Sequence, residues 1–331
     1  MDHILHLIKD GWYDCEQIEE MVFRILSTKL HERMLRSFKS YRLLNYLRFN
    51  VNRQSKMNVW EVGEKHYDLG NDLFESFLDP TMNYSCGYWK NTDNLDQAQL
   101  DKMELCAKKL MLKPGMRVLD IGCGWGGLCK YLAERYQVNM VGCTIGKDGA
   151  KFGREQCKGL PVEIRVCDYR DINEKYDRIV SIGMFEHVGQ HNYRTMFEVA
   201  HRCLVDDGIF LLHTIGLKST IMPRCEEFVH KYIFPNGTLP YTQDICKESD
   251  RLFILEDWHN FGNDYSKTLV AWHENFNRNW PKISHKYGDR FYRMWNYYLC
   301  SASALFRSRQ LQLWQVVLSK NGVSGGYQAP R

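Results

Sequence analysis

The sequence predicts an α/β protein whose mostly parallel, doubly wound sheet carries an antiparallel edge strand and follows a small helical segment. From Pro114 onward, short β-rich runs alternate with amphipathic stretches, and such alternation builds a parallel sheet. A glycine cluster follows the first run and leads into a helix-like stretch, an arrangement that favours a ligand-binding turn. Two later apolar runs are expected to pair antiparallel at one edge. The predicted strands are Arg117–Ile121, Met140–Thr144, Val162–Cys167, Arg178–Ile182, Ile209–Thr214, Leu252–Glu256 and Leu311–Ser319.

The first 60 residues are predicted to be helical, because apolar residues between Ile18 and Leu26 recur at helical spacing. From Lys29 to Lys56, cations alternate with leucines and aromatic residues, and no acid intervenes between Glu32 and Glu61. This pattern favours a basic amphipathic surface that meets lipid phosphate headgroups, although a solvated helix face packed on its neighbour gives the same pattern. We therefore divide the chain into an accessory segment, 1–60, and a catalytic-sized domain, 61–331, whose stretches 217–250 and 265–308 are expected to cap the ligand site.

Composition excludes several classes of protein. The 331 residues are 44% hydrophobic and 13% aromatic, which is enough apolar surface for a folded chain. A net charge of +4 gives no support for a nucleic-acid partner, and we expect none. No apolar run is long enough to span a membrane, and the start lacks a secretory signal, so we expect a cytoplasmic protein. The 12 cysteines are scattered without metal-ligand spacing, which predicts reduced thiols and no metal site.

The glycine cluster reads Asp-Ile-Gly-Cys-Gly-Trp-Gly-Gly over residues 120–127. A strand followed by Asp-x-Gly-x-Gly resembles the first motif of class I S-adenosylmethionine-dependent methyltransferases. A tight βα turn without a ligand is the simplest alternative. A nicotinamide-dependent enzyme is disfavoured, because the second strand has no acidic residue at its tip. By resemblance, the residues of this turn that contact the cofactor are Asp120, Gly122, Gly124, Trp125 and Gly126.

The cofactor's ribose and adenine are expected at the ends of the next two strands. The second strand ends with Thr144 and Ile145, which we assign to the cofactor site. Asp168 and Tyr169 follow the third strand, where a carboxylate can accept a hydrogen bond from an exocyclic amine and a ring can stack on the base. Either residue could equally be an ordinary turn residue.

Longer motifs resemble one family within this class. Residues 62–100 and the motifs LKPGMRVLDIGCGWGGL, SIGMFEHVG, FLLHTIG, KYIFPNGTLP, EDWHNFGNDY and LQLWQVVLSK resemble the cyclopropane-fatty-acyl-phospholipid synthases in one consistent order. The resemblance implies the Rossmann-like class I methyltransferase fold. It also implies transfer of a methylene group from S-adenosylmethionine to the cis double bond of an unsaturated phospholipid acyl chain, with bound bicarbonate as the general base. Related branches act on mycolic acids, and plant amine N-methyltransferases share much of the core.

The resemblance also assigns residues to roles. Tyr84 and Ser85 match positions near the carboxylate end of the cofactor. Four further aromatic residues, Phe185, Tyr232, Phe234 and Tyr298, suit either an acyl channel or core packing. The family's bicarbonate-holding set falls on Cys86, Glu186, His213, Ile215 and Tyr265.

The chemistry explains why such residues are needed. An alkene is a weak nucleophile, so its approach to the sulfonium methyl must be enforced by geometry. Methyl transfer leaves a carbocation, which aromatic faces stabilise while water is excluded, and a base then removes a proton so that the ring closes. Backbone amides at Cys86 and Ile215 and side chains at His213 and Tyr265 are donors suited to an anion. Glu186 would orient His213 or accept the bicarbonate hydroxyl.

The sequence departs from the family pattern at three places. Gly149 stands where the family commonly has a ribose-binding glutamine, and Ala302 stands where it has a cysteine. We expect the accessory segment to be a shortened form of the family's N-terminal domain, because the match begins at about Asp10 and in the middle of that domain. The expected partners are unsaturated acyl chains in a membrane, met by transient peripheral contact, with a homodimer as a possible assembly. Two alternatives remain: a methyltransferase of the same fold acting on an amine or another lipid, and a lipid-binding homologue that binds the cofactor weakly.

Overall fold

A computed structural model describes residues 8, 10–28, 52, 54, 70–218 and 228–331. The predicted basic stretch at 29–56 lies almost wholly outside these residues, and so do residues 62–69 of the first long motif. None of the described helices is long and apolar enough to cross a membrane.

The sheet has the predicted mostly parallel architecture. Its seven strands are ordered β3-β2-β1-β4-β5-β7-β6, and β1 to β5 run parallel to one another. Strand β7 runs antiparallel to both β5 and β6, and β6 is the edge strand on that side of the sheet. The strands are Arg117–Ile121 (β1), Asn139–Thr144 (β2), Val162–Val166 (β3), Tyr176–Ile182 (β4), Leu204–Leu217 (β5), Ile254–Asn260 (β6) and Leu311–Ser319 (β7).

The observed sixth strand is shifted along the chain from the predicted one. The predicted strand covers Leu252–Glu256, whereas β6 covers Ile254–Asn260. The backbone N–H groups of Leu252 and Phe253 both donate to the Ser249 carbonyl (3.1 and 3.2 Å), which closes a turn after the preceding helix. The two apolar side chains pack against the main core, and this explains why they looked like strand residues.

Helices connect the strands and cover both faces of the sheet. Short 3₁₀ turns lie at Tyr169–Asp171, Phe185–His187 and Gln190–Asn192, and a π-helical turn lies at Val229–Ile233. The α-helices are Ile18–Ser27 (α1), Asn71–Phe77 (α2), Leu95–Lys109 (α3), Gly127–Tyr136 (α4), Lys147–Gln156 (α5), Tyr193–Cys203 (α6), Thr242–Ser249 (α7) and Asn263–Arg307 (α8).

Alternate residues of β1 face opposite cores. Val118 packs with α3, α4 and α5, whereas its neighbour Leu119 packs with α6 and α7 on the other face. A third cluster, rich in aromatic residues, forms between α2 and α8. In α1, Val22 and Leu26 are buried against Ala304 of α8. Helix α8 is kinked at Gly288, whose φ of 74° and ψ of 168° are not helical.

Candidate active site

Cys86 lies in a loop that α8 holds from one side. The Gly87 N–H and the Trp89 Nε1–H both donate to Thr268 Oγ1 (3.1 and 2.8 Å). The Trp89 backbone N–H donates to Asp264 Oδ2 (2.8 Å). Thr268 and Asp264 of α8 therefore fix the backbone on the C-terminal side of Cys86.

Helix α3 holds the same loop from the other side. Gln99 Nε2 donates to the Ser85 carbonyl (2.8 Å), and Lys102 Nζ donates to Asn83 Oδ1 (2.8 Å) and Ser85 Oγ (3.0 Å). Lys102 is fully buried, and this burial lowers its pKa. Because an ammonium group only donates, Ser85 Oγ accepts here and keeps its own proton for another acceptor. The Tyr84 hydroxyl meets the Tyr298 hydroxyl at 2.9 Å.

The Cys86 side chain is a neutral thiol. Its sulfur is buried and donates to the Gly87 carbonyl (3.1 Å). Burial raises the pKa of this thiol well above its ordinary value. A thiol with a raised pKa is a poor nucleophile, so the arrangement argues against covalent catalysis by Cys86.

Glu186 follows β4 in a single 3₁₀ turn and reaches across to β5. Its Oε1 accepts a hydrogen bond from the Ile215 N–H (2.7 Å). Burial raises the pKa of this carboxyl group to about 7. The other oxygen, Oε2, is buried and has no hydrogen-bond partner in the described part of the chain. A buried carboxyl oxygen without a partner is costly, which makes it a candidate for contact with a ligand.

His213 is a neutral imidazole on β5. Its Nδ1 lies 3.2 Å from Nε2 of Gln315, the residue opposite it on β7. Burial lowers the pKa of the ring well below its ordinary value, and the nearby Lys102, Lys109 and His259 lower it further. Its Nε2 is buried and meets no hydrogen-bond partner among the residues that the structure describes.

The five residues assigned to bicarbonate are linked by a chain of contacts, in part through Phe261. Cys86 is buried with Phe261 and Leu313, and Ile215 and Tyr265 pack against this cluster. The His213 ring meets Phe261 edge-on, with 5.8 Å between ring centroids, and Glu186 is bonded to Ile215. Burial raises the pKa of Tyr265 well above its ordinary value, and the nearby Tyr298, Cys86 and Glu186 add to the rise. Their catalytic roles stay predictions, but their proximity is a property of the fold.

The glycine turn leaves space at the carboxyl end of β1. Gly122, Gly124 and Gly126 all have positive φ. A Cβ on Gly124 would meet nothing within 4 Å, and the same holds for Gly183 at the end of β4. By contrast, a Cβ on Gly127 would overlap the Thr81 carbonyl oxygen, so α4 begins in close contact with the segment that leads to Cys86.

Several residues assigned to the cofactor also serve the fold. Asp120 is 2% exposed, accepts from the Cys129 thiol (3.5 Å) and has its pKa raised by burial to about 7. Trp125 Nε1–H donates to Asn71 Oδ1 (3.0 Å), and Thr144 Oγ1 accepts from the Gly146 N–H (3.2 Å) beside Ile145.

Asp168 and Tyr169, which the sequence assigns to the adenine, also have partners within the protein. Both carboxylate oxygens of Asp168 accept hydrogen bonds from the Arg170 guanidinium (2.5 to 3.0 Å). The Tyr169 ring is 6% exposed and belongs to the main core. The structure therefore ties the Asp168 carboxylate to Arg170, and an adenine contact would have to share it.

Aromatic side chains form one wall beside the Cys86 loop. Tyr84 has the Phe74, Phe77, Phe234 and Trp272 rings within 6.1 Å between centroids. Of the four aromatic residues whose role was open, Phe234 and Tyr298 belong to this wall. Phe185 stacks on Tyr193 in the main core, 4.2 Å between centroids, and Tyr232 lies against Phe228.

Sequence reasoning missed four residues that shape the site. Thr268 and Lys102 fix the Cys86 loop, Gln315 contacts His213, and Gly127 permits the close approach of α4. Two of these left a signal. Gln315 is a polar residue inside an apolar run, and Gly127 is the second of two adjacent glycines.

Comparison with known proteins gives consistent matches. The family model for mycolic acid cyclopropane synthetase matches residues 54–316. The cyclopropane-fatty-acyl-phospholipid synthase of Escherichia coli (strain K12) is 50% identical over 323 residues, which cover 97% of this chain and 84% of that protein.

Solved structures agree. The mycolic acid cyclopropane synthase CmaA1 complexed with SAH and CTAB superposes with a TM-score of 0.75 at 33% identity, covering 79% of this chain and 98% of that one. Coclaurine N-methyltransferase gives a TM-score of 0.78 over 96% of this chain and 99% of that one, and at 19% identity it shows likeness of fold alone.

Proposed function

The chain belongs to the mycolic acid cyclopropane synthetase family, and on that premise we propose that it is an S-adenosylmethionine-dependent enzyme that builds cyclopropane rings on lipids. More finely, we propose that it acts on the cis double bond of unsaturated phospholipid acyl chains and uses bound bicarbonate as the general base. The observation that carries the finer proposal is the pair of buried, unpartnered polar atoms, Glu186 Oε2 and His213 Nε2, beside the Cys86 loop in the part of the chain that the structure describes.

The glycine turn fits a cofactor that approaches the backbone closely. Open space at Gly124 and Gly183 lies at the carboxyl ends of β1 and β4, which is where open α/β sheets bind their ligands. The Ser85 hydroxyl, held as an acceptor by Lys102, keeps a proton to donate to the cofactor's carboxylate. The residues proposed to hold the cofactor are Tyr84, Ser85, Asp120, Gly122, Gly124, Trp125, Gly126, Thr144, Ile145, Asp168 and Tyr169.

The cluster around Cys86 fits a small anion with one proton. The neutral His213 ring and the Tyr265 hydroxyl are donors suited to two of its oxygens, and Glu186 Oε2 is an acceptor suited to its hydroxyl group. Bicarbonate, when bound, supplies the base that removes a proton as the ring closes. Burial raises the pKa of Glu186 to about 7. At slightly alkaline pH the group is therefore mainly a carboxylate, which accepts hydrogen bonds.

The aromatic wall fits the cationic character of the reaction. Tyr84, Phe234 and Trp272 present ring faces and edges within one cluster, and Tyr265 stacks on Phe306 with 4.5 Å between centroids. Such rings stabilise positive charge and exclude water that would trap it. Plain amine methylation generates no carbocation and no ring closure, so it has little use for the anion-binding cluster.

Removing bicarbonate tests the finer proposal. Purified protein is incubated with S-adenosylmethionine and vesicles of monounsaturated phospholipid in buffer freed of carbon dioxide. We expect turnover to fall at least about 10-fold, since a positioned base contributes that much or more, and to recover when bicarbonate is added back. Vesicles of saturated phospholipid are the control and should give no product.

The other outcomes point to different functions. Undiminished turnover without bicarbonate would contradict the proposed base while leaving lipid cyclopropanation in place. Methyl transfer to an amine but not to the vesicles would favour the other acceptor class. Lack of S-adenosylmethionine binding would favour a lipid-binding homologue.

We also propose that the protein is cytoplasmic and meets membranes transiently. The proposed membrane contact rests on the basic stretch at 29–56, whose cations suit anionic headgroups. If it is right, product formation on anionic vesicles falls as salt is raised, whereas formation on zwitterionic vesicles changes little.

A further inference from the structure

Gln315 is a fully buried polar residue between two histidines of the sheet. On β7 it is paired with His213 of β5 on one side and with His259 of β6 on the other. Its Nε2 lies 3.2 Å from His213 Nδ1 and 3.4 Å from the Cys106 sulfur. The described residues thus give this amide nitrogen two acceptors and leave the amide oxygen, Oε1, without a donor.

This contact decides which ring nitrogen carries the proton. With the amide in the orientation that the structure gives it, its NH₂ group faces Nδ1 and donates, so His213 Nδ1 accepts. A neutral imidazole has one N–H, and the proton must then be on Nε2. That atom is buried and without a partner in the described part of the chain, so its N–H is available to a ligand.

We infer that Gln315 is a positioning residue, which holds His213 in the tautomer with its proton on Nε2 and so presents an N–H donor to the bicarbonate of the proposed function. The inference rests on that function for the identity of the anion but not for the tautomer. If the amide were reversed, Oε1 would accept from Nδ1–H, and the lone pair of Nε2 would face the anion and repel it.

The charged and titratable groups around the ring favour a neutral His213. Lys102 and Lys109 of α3 and His259 of β6 all lower its pKa. Glu186, Cys86 and Tyr265 lie on the ligand side, and Cys106 lies beside the amide. Lys109 Nζ lies 3.2 Å from His259 Nδ1, and its cationic charge on the far side of Gln315 is partly balanced by Asp257 Oδ2, 3.4 Å away. A protonated His213 would add to that charge, whereas a neutral donor binds the anion without this cost.

Nitrogen NMR of the wild-type protein tests the tautomer directly. The protein is labelled with ¹⁵N-histidine, and His213 is assigned by the signal lost in His213→Gln. Two-bond proton–nitrogen spectra then identify the protonated ring nitrogen. We expect Nε2 to be protonated and Nδ1 bare. A proton on Nδ1, or on both nitrogens near pH 7.5, would overturn the inference. This measurement needs no catalytic activity, so it stands even if the proposed function fails.

Two substitutions test the consequence for anion binding. Gln315→Glu places a carboxylate on Nδ1, which favours a proton there, and Gln315→Met removes the hydrogen bond without adding charge. For Gln315→Glu we expect the bicarbonate concentration for half-maximal turnover to rise about 10-fold or more, as for loss of a hydrogen bond to a charged group. The dissociation constant for S-adenosylhomocysteine should stay unchanged, and Gln315→Met should fall between Gln315→Glu and wild type.

Gln312→Glu is the matched control, because Gln312 lies on the same strand and bonds Asn260 and Trp314 instead. It should leave the bicarbonate dependence as in wild type. If Gln315→Glu moves the proton to Nδ1 yet keeps the wild-type bicarbonate dependence, the positioning role is wrong. Wild-type turnover that does not depend on the bicarbonate concentration would instead refute the proposed base.

Discussion

Replacing Glu186 by glutamine is expected to lower turnover by about 100-fold or more, within the range for loss of the positioned base that Glu186 is proposed to hold. Glutamine is nearly isosteric, so its oxygen can still accept from the Ile215 N–H, a bond of 2.7 Å in the wild type. What changes is the second atom, where an NH₂ donor replaces the buried Oε2 acceptor. The proposed contact with the bicarbonate hydroxyl is then lost. Steady-state kinetics on phospholipid vesicles measure the effect.

Cofactor affinity separates this role from cofactor binding. Calorimetry with S-adenosylhomocysteine should give the same dissociation constant for Glu186→Gln and wild type. A large loss of affinity would mean that Glu186 is a cofactor ligand and that our assignment is wrong.

The pH dependence of stability checks that the carboxyl group is buried as described. Burial raises the folded-state pKa of Glu186 to about 7 from an ordinary value of 4.5. Between these pH values the folded protein holds a proton that the unfolded chain has released, so the free energy of unfolding falls as pH rises, by up to about 3 kcal/mol from this group. Asp120, whose pKa is also raised to about 7, contributes equally to the pH dependence of the wild type and of Glu186→Gln. The free energy of unfolding of the wild type should therefore fall more steeply with pH than that of Glu186→Gln. Equal slopes would contradict the burial of the Glu186 carboxyl group.

Replacing Gly127 by alanine is expected to lower the free energy of unfolding by about 2–3 kcal/mol, as for overpacking of a tightly packed site. The added Cβ would overlap the Thr81 carbonyl oxygen, which is backbone and cannot turn aside. Thr81 lies in the segment that Asp79 holds through the Thr81 and Asn83 N–H groups (2.9 and 3.0 Å). Either α4 or this segment must therefore move. Urea denaturation measures the loss of stability.

The same substitution should weaken cofactor binding, because the glycine turn and the Tyr84–Ser85 loop are the two surfaces that it pushes apart. We expect the dissociation constant for S-adenosylhomocysteine to rise about 10-fold, equivalent to roughly 1.4 kcal/mol. A variant with wild-type stability and affinity would show that the contact between α4 and Thr81 is not a constraint on the site.

The fold was predictable because local patterns report it directly. Buried runs such as Arg117–Ile121 and the glycine cluster after them mark a strand and a turn without knowledge of the rest of the chain. Strand–helix alternation predicts that the sheet is mostly parallel. The start of β6 was harder, because Leu252 and Phe253 are apolar for reasons of core packing rather than strand pairing.

The identity of the site residues was predictable only through long motifs, and their mutual contacts were not. Thr268 bonds Gly87 across 181 positions of the sequence, and Gln315 contacts His213 across 102. Periodicity shows which face a residue takes but not which atom of a distant residue it meets. Proximity in sequence does not place a residue in the site either. Phe185 precedes Glu186 directly, yet its ring stacks on Tyr193 in the main core.

Mass spectrometry of cellular lipids tests the central claim most directly. The chain and its Glu186→Gln variant are expressed at equal levels in a host that makes no cyclopropane fatty acids, and the transesterified fatty acids are resolved by chromatography. We expect the wild type to add one CH₂ to monounsaturated chains, in a product that survives hydrogenation of alkenes, and the variant to add little or none. Unchanged fatty acids in cells that contain both folded wild-type protein and S-adenosylmethionine would contradict lipid cyclopropanation.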